Sequence, residues 1–80
     1  MSEEQKIRKY ILENFLFTED ENELNNSDSF LENGIIDSTG ILEVISFLEE
    51  SFNIKVDDDD MVPENLDSVD NILAYLKSKQ

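Results

Sequence analysis

Cysteine and histidine are both absent from this chain of 80 residues, and proline occurs once. Without cysteine the chain can form no disulfide and no thiolate metal site, and it has no cysteine nucleophile. Without histidine it lacks the usual general base and the commonest zinc ligand. We therefore expect a protein that is not an enzyme by itself.

Long apolar runs are also missing. No stretch approaches membrane-spanning length, and the N-terminal residues lack the apolar core of a signal peptide. We therefore expect a cytoplasmic protein that does not insert into membranes. The length and the 39% hydrophobic content indicate a single domain over residues 1–80, and a domain of this size buries only about 60 to 65% of its unfolded surface.

Positive charge is scarce, with 6 basic residues against 20 acidic ones and a net charge of −14. Residues 10–54 contain no basic side chain. A field of this sign repels nucleic acid and anionic membranes and favours partners with basic surfaces. Disorder is the other common explanation of such a charge, but it is disfavoured here because the apolar residues are periodic.

The apolar residues recur at helical spacing in three segments, and no segment alternates in the manner of a strand. The three predicted helices span Glu3–Leu16, Ser38–Phe52 and Ser68–Lys77. We expect Ser2, Asp37 and Asp67 to be their N-caps, and Asn53 to end the second helix. Leu42 is assigned to the buried face of that second helix.

Two connections join these helices. The first, residues 17–37, is long for so small a domain, although its apolar residues suggest that it packs on the core. In the second, a short helix either begins at Pro63 or is opened by Asp57–Asp60, and both alternatives stay open. The fold class expected is all-α, a small four-helix bundle of three main helices and one short helix with a long first loop.

The acidic run Asp57–Asp60 raises the question of calcium. It lacks the alternating ligands, the central glycine and the terminal glutamate of an EF-hand loop. We interpret it as a solvated connection and predict no metal site, with weak binding of divalent cations as the alternative.

The dipeptide Asp-Ser occurs three times, at residues 28–29, 37–38 and 67–68. The first is typical of a turn and the last of a helix cap, whereas Asp37-Ser38 follows a long loop and begins the most apolar helix. Ser38 should occupy the first helical position, where its side chain points outward and backbone N–H groups are free. A phosphate attached there would lie at the positive end of the helix dipole.

Ser38 does not resemble a catalytic nucleophile. The chain offers no histidine to activate it, and Gly34 and Gly40 are not spaced as in a nucleophile elbow. If Ser38 reacts, a second protein must supply the chemistry.

These features together resemble the acyl carrier proteins of the phosphopantetheine-carrier superfamily. The similarity covers the whole chain: the acidic helical layout, the long first loop, Gly34 ahead of Asp37-Ser38, and the segments LEESFNIKV and LDSVDNILAYL. It implies that a phosphopantetheinyl transferase, with a magnesium ion, moves 4′-phosphopantetheine from coenzyme A to Ser38, and that Asp37 helps to position the transferase and the metal. The arm would then carry acyl or aminoacyl groups as thioesters, as in fatty acid biosynthesis and lipid metabolism.

The resemblance also implies a docking surface on the second helix. The residues at its docking positions are Thr39, Glu43, Ser46, Glu49, Glu50 and Val56. The acids would meet the basic surfaces of acyl- or aminoacyl-activating ligases and of synthase-type enzymes, with the carrier acting as a monomer. The apolar residues Ile41, Val44, Ile45, Leu48, Phe52 and Ile72 either shelter an acyl chain or simply fill the core.

Some residues depart from the pattern of the fatty-acid carriers. Thr39 and Gly40 replace a leucine and an acid, Ser46 replaces an apolar residue, and two residues rather than one separate Gly34 from Asp37. These features resemble the D-alanyl carrier proteins and other specialised stand-alone carriers. We therefore interpret the chain as a dedicated carrier rather than the general fatty-acid carrier, with a D-alanyl or other aminoacyl pathway as an alternative. In another class altogether, the chain would be an acidic helical interaction module or a calcium-responsive module, with Ser38 only a cap.

Overall fold

The computed structural model describes residues 2–79, whose regular secondary structure is helical, with no strand in that range. The four α-helices are α1 (Glu3–Ile11), α2 (Ser38–Phe52), α3 (Pro63–Leu66) and α4 (Val69–Lys79). A π-helical turn (Leu12–Leu16) continues α1, and 3₁₀ turns lie at Glu21–Glu23 and Asp58–Asp60. The expected all-α architecture of three main helices, one short helix and a long first loop is confirmed.

The first helix begins and ends close to its predicted limits, but its last turn is wider than an α-helix. Ser2 and Gln5 form a capping box at its start, as the side chain of each accepts the backbone N–H of the other. At the other end the carbonyl of Leu12 accepts the N–H groups of both Phe17 and Thr18. Phe17 then adopts a left-handed conformation (φ 54°), which ends the helix.

The start of α4 corrects the prediction that Asp67 is its N-cap. The Oγ atom of Ser68 accepts the N–H of Asn71 at 3.0 Å, so Ser68 is the residue that caps the helix. Asp67 instead ends α3, where its N–H donates to the carbonyl of Pro63 at 3.0 Å. Because Ser68 caps α4 in its place, the Asp67 carboxylate is free to bind the first loop. The last helix also continues to Lys79.

Both alternatives for the second connection occur, one after the other. Asp58–Asp60 forms a 3₁₀ turn, and Pro63 then occupies the first position of α3. Proline is well suited to that position because no helical acceptor exists for its missing N–H.

The core contains side chains from every main helix and from both connections. The buried apolar residues are Ile7, Ile11, Leu12, Leu24, Phe30, Ile36, Val44, Ile45, Leu48, Val56, Leu66, Val69, Ile72, Tyr75 and Leu76. Three of them belong to the first loop, so that loop is packed onto the core as expected. Leu42 is an exception to the prediction, since 59% of its surface is exposed.

Aromatic rings join α1 to α2. The ring of Tyr10 stacks on that of Phe47 with centroids 4.0 Å apart, and it makes a T-shaped pair with Phe15 at a centroid distance of 5.8 Å. Phe15 lies in turn over the first turn of α2 at Gly40. A Cβ atom at position 40 would lie 3.0 Å from Cε1 of Phe15 and 2.7 Å from Cγ2 of Ile36. Gly40 is therefore required by this close packing.

We expect Gly40→Ala to lower the free energy of unfolding by about 1 to 3 kcal/mol, because the added methyl group has no room. The loss should occur although alanine exceeds glycine in helix propensity by about 1 kcal/mol. Urea denaturation measures the change, and Ser46→Ala on the exposed side of the same helix is the matched control. A variant as stable as the original protein would contradict the packing described.

Candidate functional site

The segment that leads into α2 is a single helical turn closed by Gly34. The N–H of Ile35 donates to the carbonyl of Phe30 at 2.9 Å, and that of Gly34 to the carbonyl of Leu31 at 3.3 Å. This is a Schellman motif, and its left-handed residue is Gly34 (φ 67°). The motif turns the chain so that Ile36 enters the core and the next residues emerge at the surface.

Asp37 and Ser38 begin α2 as predicted. The Oδ1 atom of Asp37 accepts the N–H of Gly40 at 2.7 Å, which confirms Asp37 as the N-cap. Ser38 occupies the first helical position and is exposed. The N–H groups of Ser38 and Thr39 donate to no acceptor within residues 2–79. The site is thus an outward-facing hydroxyl beside two backbone donors at the positive end of a helix.

An apolar groove of about 260 Å³ opens directly beside Ser38. It is lined by Leu31, Ser38, Ile41, Leu42, Ile45, Met61, Val62, Pro63, Leu66 and Asp67. Of the residues predicted either to shelter an acyl chain or to fill the core, Ile41 and Ile45 line this groove. Val44, Leu48 and Ile72 are almost completely buried and belong to the core, and Phe52 packs edge-on against Phe47 instead.

Asp67 fixes one edge of the groove. Its carboxylate accepts a short hydrogen bond from the Oγ atom of Ser29 and another from the N–H of Leu31 at 3.0 Å. Its carbonyl accepts the N–H of Phe30 at 2.7 Å. The first loop is thereby attached to the junction of α3 and α4, and Leu31 is held at the rim of the groove. The pair Asp28-Ser29 is therefore joined to the pair Asp67-Ser68 through the hydrogen bond from Ser29 to Asp67.

The predicted docking residues divide into two groups. Thr39, Glu43, Ser46 and Glu50 are exposed along α2. Glu49 is partly buried, and its carboxylate accepts the N–H of Val56 at 3.0 Å. Val56 itself is only 4% exposed, so the side chain predicted to contact a partner lies in the core of this structure. The chain turns inward after the left-handed residue Asn53, which carries Val56 into the core.

Four exposed apolar residues around the groove were not predicted. Leu31, Leu42, Met61 and Val62 have exposed fractions of 43%, 59%, 38% and 37%. For Leu42 a signal existed, since it lies four residues after Ser38 and thus on the same side of the helix. For Met61 and Val62 the sequence offers no such signal, because their exposure depends on how α3 packs against the rest of the protein.

The acidic run Asp57–Asp60 forms ion pairs with a lysine of the same chain. The Nζ atom of Lys79 lies 3.3 Å from Asp57 and 3.4 Å from Asp60. Within the described part of the chain no three acidic side chains are grouped so as to hold a metal ion. No helix between residues 2 and 79 is long and apolar enough to cross a membrane.

The chain is similar to acyl carrier proteins both in sequence and in structure. The chain is 36% identical over 80 residues to an acyl carrier protein of Nitratidesulfovibrio vulgaris, with all of both chains covered. It is 34% identical to that of Chlamydia caviae, covering 100% of this chain and 99% of the other. A solution NMR structure of a holo acyl carrier protein from Nitrosomonas europaea superposes with a TM-score of 0.74, at 28% identity, over 98% of this chain and 95% of the other. No protein-family model matches the chain.

We expect Asp37→Ala to destabilise the protein by about 1 kcal/mol, because the amide of Gly40 loses its acceptor. Asp37→Asn retains an oxygen in the same place and should cost less. Thermal unfolding followed by circular dichroism compares the two variants. Equal losses in both would contradict the hydrogen bond as the source of the effect.

Proposed function

The chain belongs to the acyl carrier protein family, and on this basis we propose that Ser38 is the residue that bears its 4′-phosphopantetheine group. Members of the family are carriers that act with partner enzymes and are not themselves catalysts. The observation that carries the proposal is the exposure of Ser38 at the capped start of α2, beside an apolar groove.

The residues at this site fit a phosphate-linked arm. A phosphodiester on the Ser38 oxygen would meet the N–H groups of Ser38 and Thr39, which have no other acceptor within residues 2–79. Asp37 uses one carboxylate oxygen to cap the helix, which leaves the other to help position the magnesium ion of a phosphopantetheinyl transferase. The arm, transferred from coenzyme A, supplies the thiol that holds the cargo as a thioester, so the chain needs no cysteine of its own.

The groove favours an acyl cargo. Apart from Ser38 and Asp67, its lining is entirely apolar. Burial of an acyl chain there would contribute about 0.8 kcal/mol for each methylene removed from water. A charged ammonium group would gain nothing from the same surface. We therefore propose an acyl cargo. This differs from the aminoacyl alternative, which the motif residues Thr39 and Gly40 favour, and it leaves open the interpretation of the chain as a dedicated carrier.

Partners would approach the face of α2 that carries Ser38. Thr39, Glu43, Ser46 and Glu50 form an exposed strip there, with Leu42 beside it. Glu49 belongs to this surface only in part, because its carboxylate already binds the backbone of Val56. The strip would bind basic surfaces of the transferase, of acyl-activating ligases and of synthase-type enzymes. In this proposal the chain acts as a monomer in the cytoplasm.

Loading with coenzyme A tests the attachment site. Incubation with coenzyme A, magnesium and a transferase of broad specificity should add the mass of one phosphopantetheine group. Ser38→Ala should gain nothing, whereas Ser51→Ala, an exposed serine on the same helix outside the docking strip, should gain the full mass. A gain that survives Ser38→Ala would contradict the proposal. No gain, with a second carrier protein loaded in parallel, would leave a helical interaction module as the better interpretation.

Neutralising two glutamates tests the docking strip. The double variant Glu43→Gln, Glu50→Gln should slow association with the transferase severalfold at low salt, because steering by complementary charge is lost. The control pair Glu19→Gln, Glu23→Gln changes the net charge equally but lies in the first loop. Stopped-flow association rates compare them. Equal slowing by both pairs would mean that net charge, rather than the strip, attracts the partner.

A further inference from the structure

We propose that Asp60, Tyr75 and Lys79 form a latch that holds the Met61–Val62 wall of the groove against α4. This inference rests on the proposed function in one respect, namely that the groove beside Ser38 covers the cargo. The strength of the latch would then set how often the groove widens.

The wall has little apolar packing of its own. None of residues 57–65 is buried, and Met61 and Val62 keep more than a third of their surface exposed. The helix that follows has only four residues, and Leu66 is the one that enters the core. Apolar contact thus anchors the chain only after the wall, at Leu66. The wall itself depends on polar contacts to stay in place.

Asp60 supplies these contacts in two directions. Its carboxylate accepts the hydroxyl of Tyr75 at 2.9 Å and lies 3.4 Å from the Nζ atom of Lys79, and both residues belong to α4. Its carbonyl accepts the N–H of Val62 and the Nδ2 group of Asn65, each at 2.9 Å. The side chain of Asp60 therefore binds α4, while its backbone binds the wall.

The two contacts to α4 differ in character. Tyr75 is 6% exposed, and its phenol is a neutral donor at neutral pH; burial, followed by its bond to Asp60, raises its pKa further. The side chain of Lys79 is 25% exposed and bridges Asp60 to Asp57, which offsets repulsion among four adjacent carboxylates. Salt should therefore weaken the Lys79 contact more than the Tyr75 contact.

Amide hydrogen exchange in the unmodified protein, followed by NMR, tests the latch. The reporters are the N–H groups of Met61, Val62 and Asn65, which bond within the wall, and the references are those of Val44 and Leu48 in α2. Tyr75→Phe should speed exchange at the reporters about tenfold relative to the references, because a hydrogen bond to a charged group is lost. Lys79→Met should do so about two- to fivefold, as expected for a partly exposed ion pair.

Three controls make the result specific. Lys77→Met removes the same charge from an exposed position of α4 and should leave the relative exchange unchanged. Lys79→Arg should preserve the contact. Sodium chloride at high concentration should speed the reporters in the original protein and have little further effect in Lys79→Met.

Two outcomes would overturn the latch. One is acceleration of reporters and references by the same factor in both variants, which would mean that these contacts only stabilise the whole fold. The other is equal behaviour of Lys77→Met and Lys79→Met. Because exchange is measured without the arm, failure to load Ser38 would count against the proposed function alone.

Discussion

The hydrogen bond from the amide of Gly40 to the carboxylate of Asp37 is the interaction on which the site depends. It satisfies one free N–H at the start of α2 and leaves those of Ser38 and Thr39 available. Gly40 has a second part in the same turn, since its missing side chain admits Phe15 and Ile36. The start of the helix is thereby fixed from both sides, with Ser38 facing outward.

Acidic side chains organise much of the remaining structure. Asp67 attaches the first loop to the α3–α4 junction, Glu49 accepts the amide of Val56, and Asp60 joins the second connection to α4. In each case a carboxylate binds a neutral donor, which partly explains how a chain with a net charge of −14 folds with few cations. Glu43 and Glu50, by contrast, are exposed at the surface in the proposed docking strip.

The sequence predicted the features that depend on local interactions. The caps Ser2 and Asp37, the limits of α2 and the outward position of Ser38 follow from residues a few positions apart. Asp67 and Ser68 could not be assigned in this way, because either can cap a helix and the choice depends on where α3 ends. The burial of Val56 and the exposure of Leu42, Met61 and Val62 likewise depend on how separate segments dock. The family resemblance supplied the role proposed for Ser38, whereas the groove beside it could be found only from the structure.

The most direct test of this account is to locate the modification by peptide mapping. After loading with coenzyme A and digestion, tandem mass spectrometry should place phosphopantetheine on residue 38 within the peptide that contains GIIDSTGILE. Its presence on Ser29, Ser46 or Ser68 instead would contradict the claim that the capped start of α2 is the functional site.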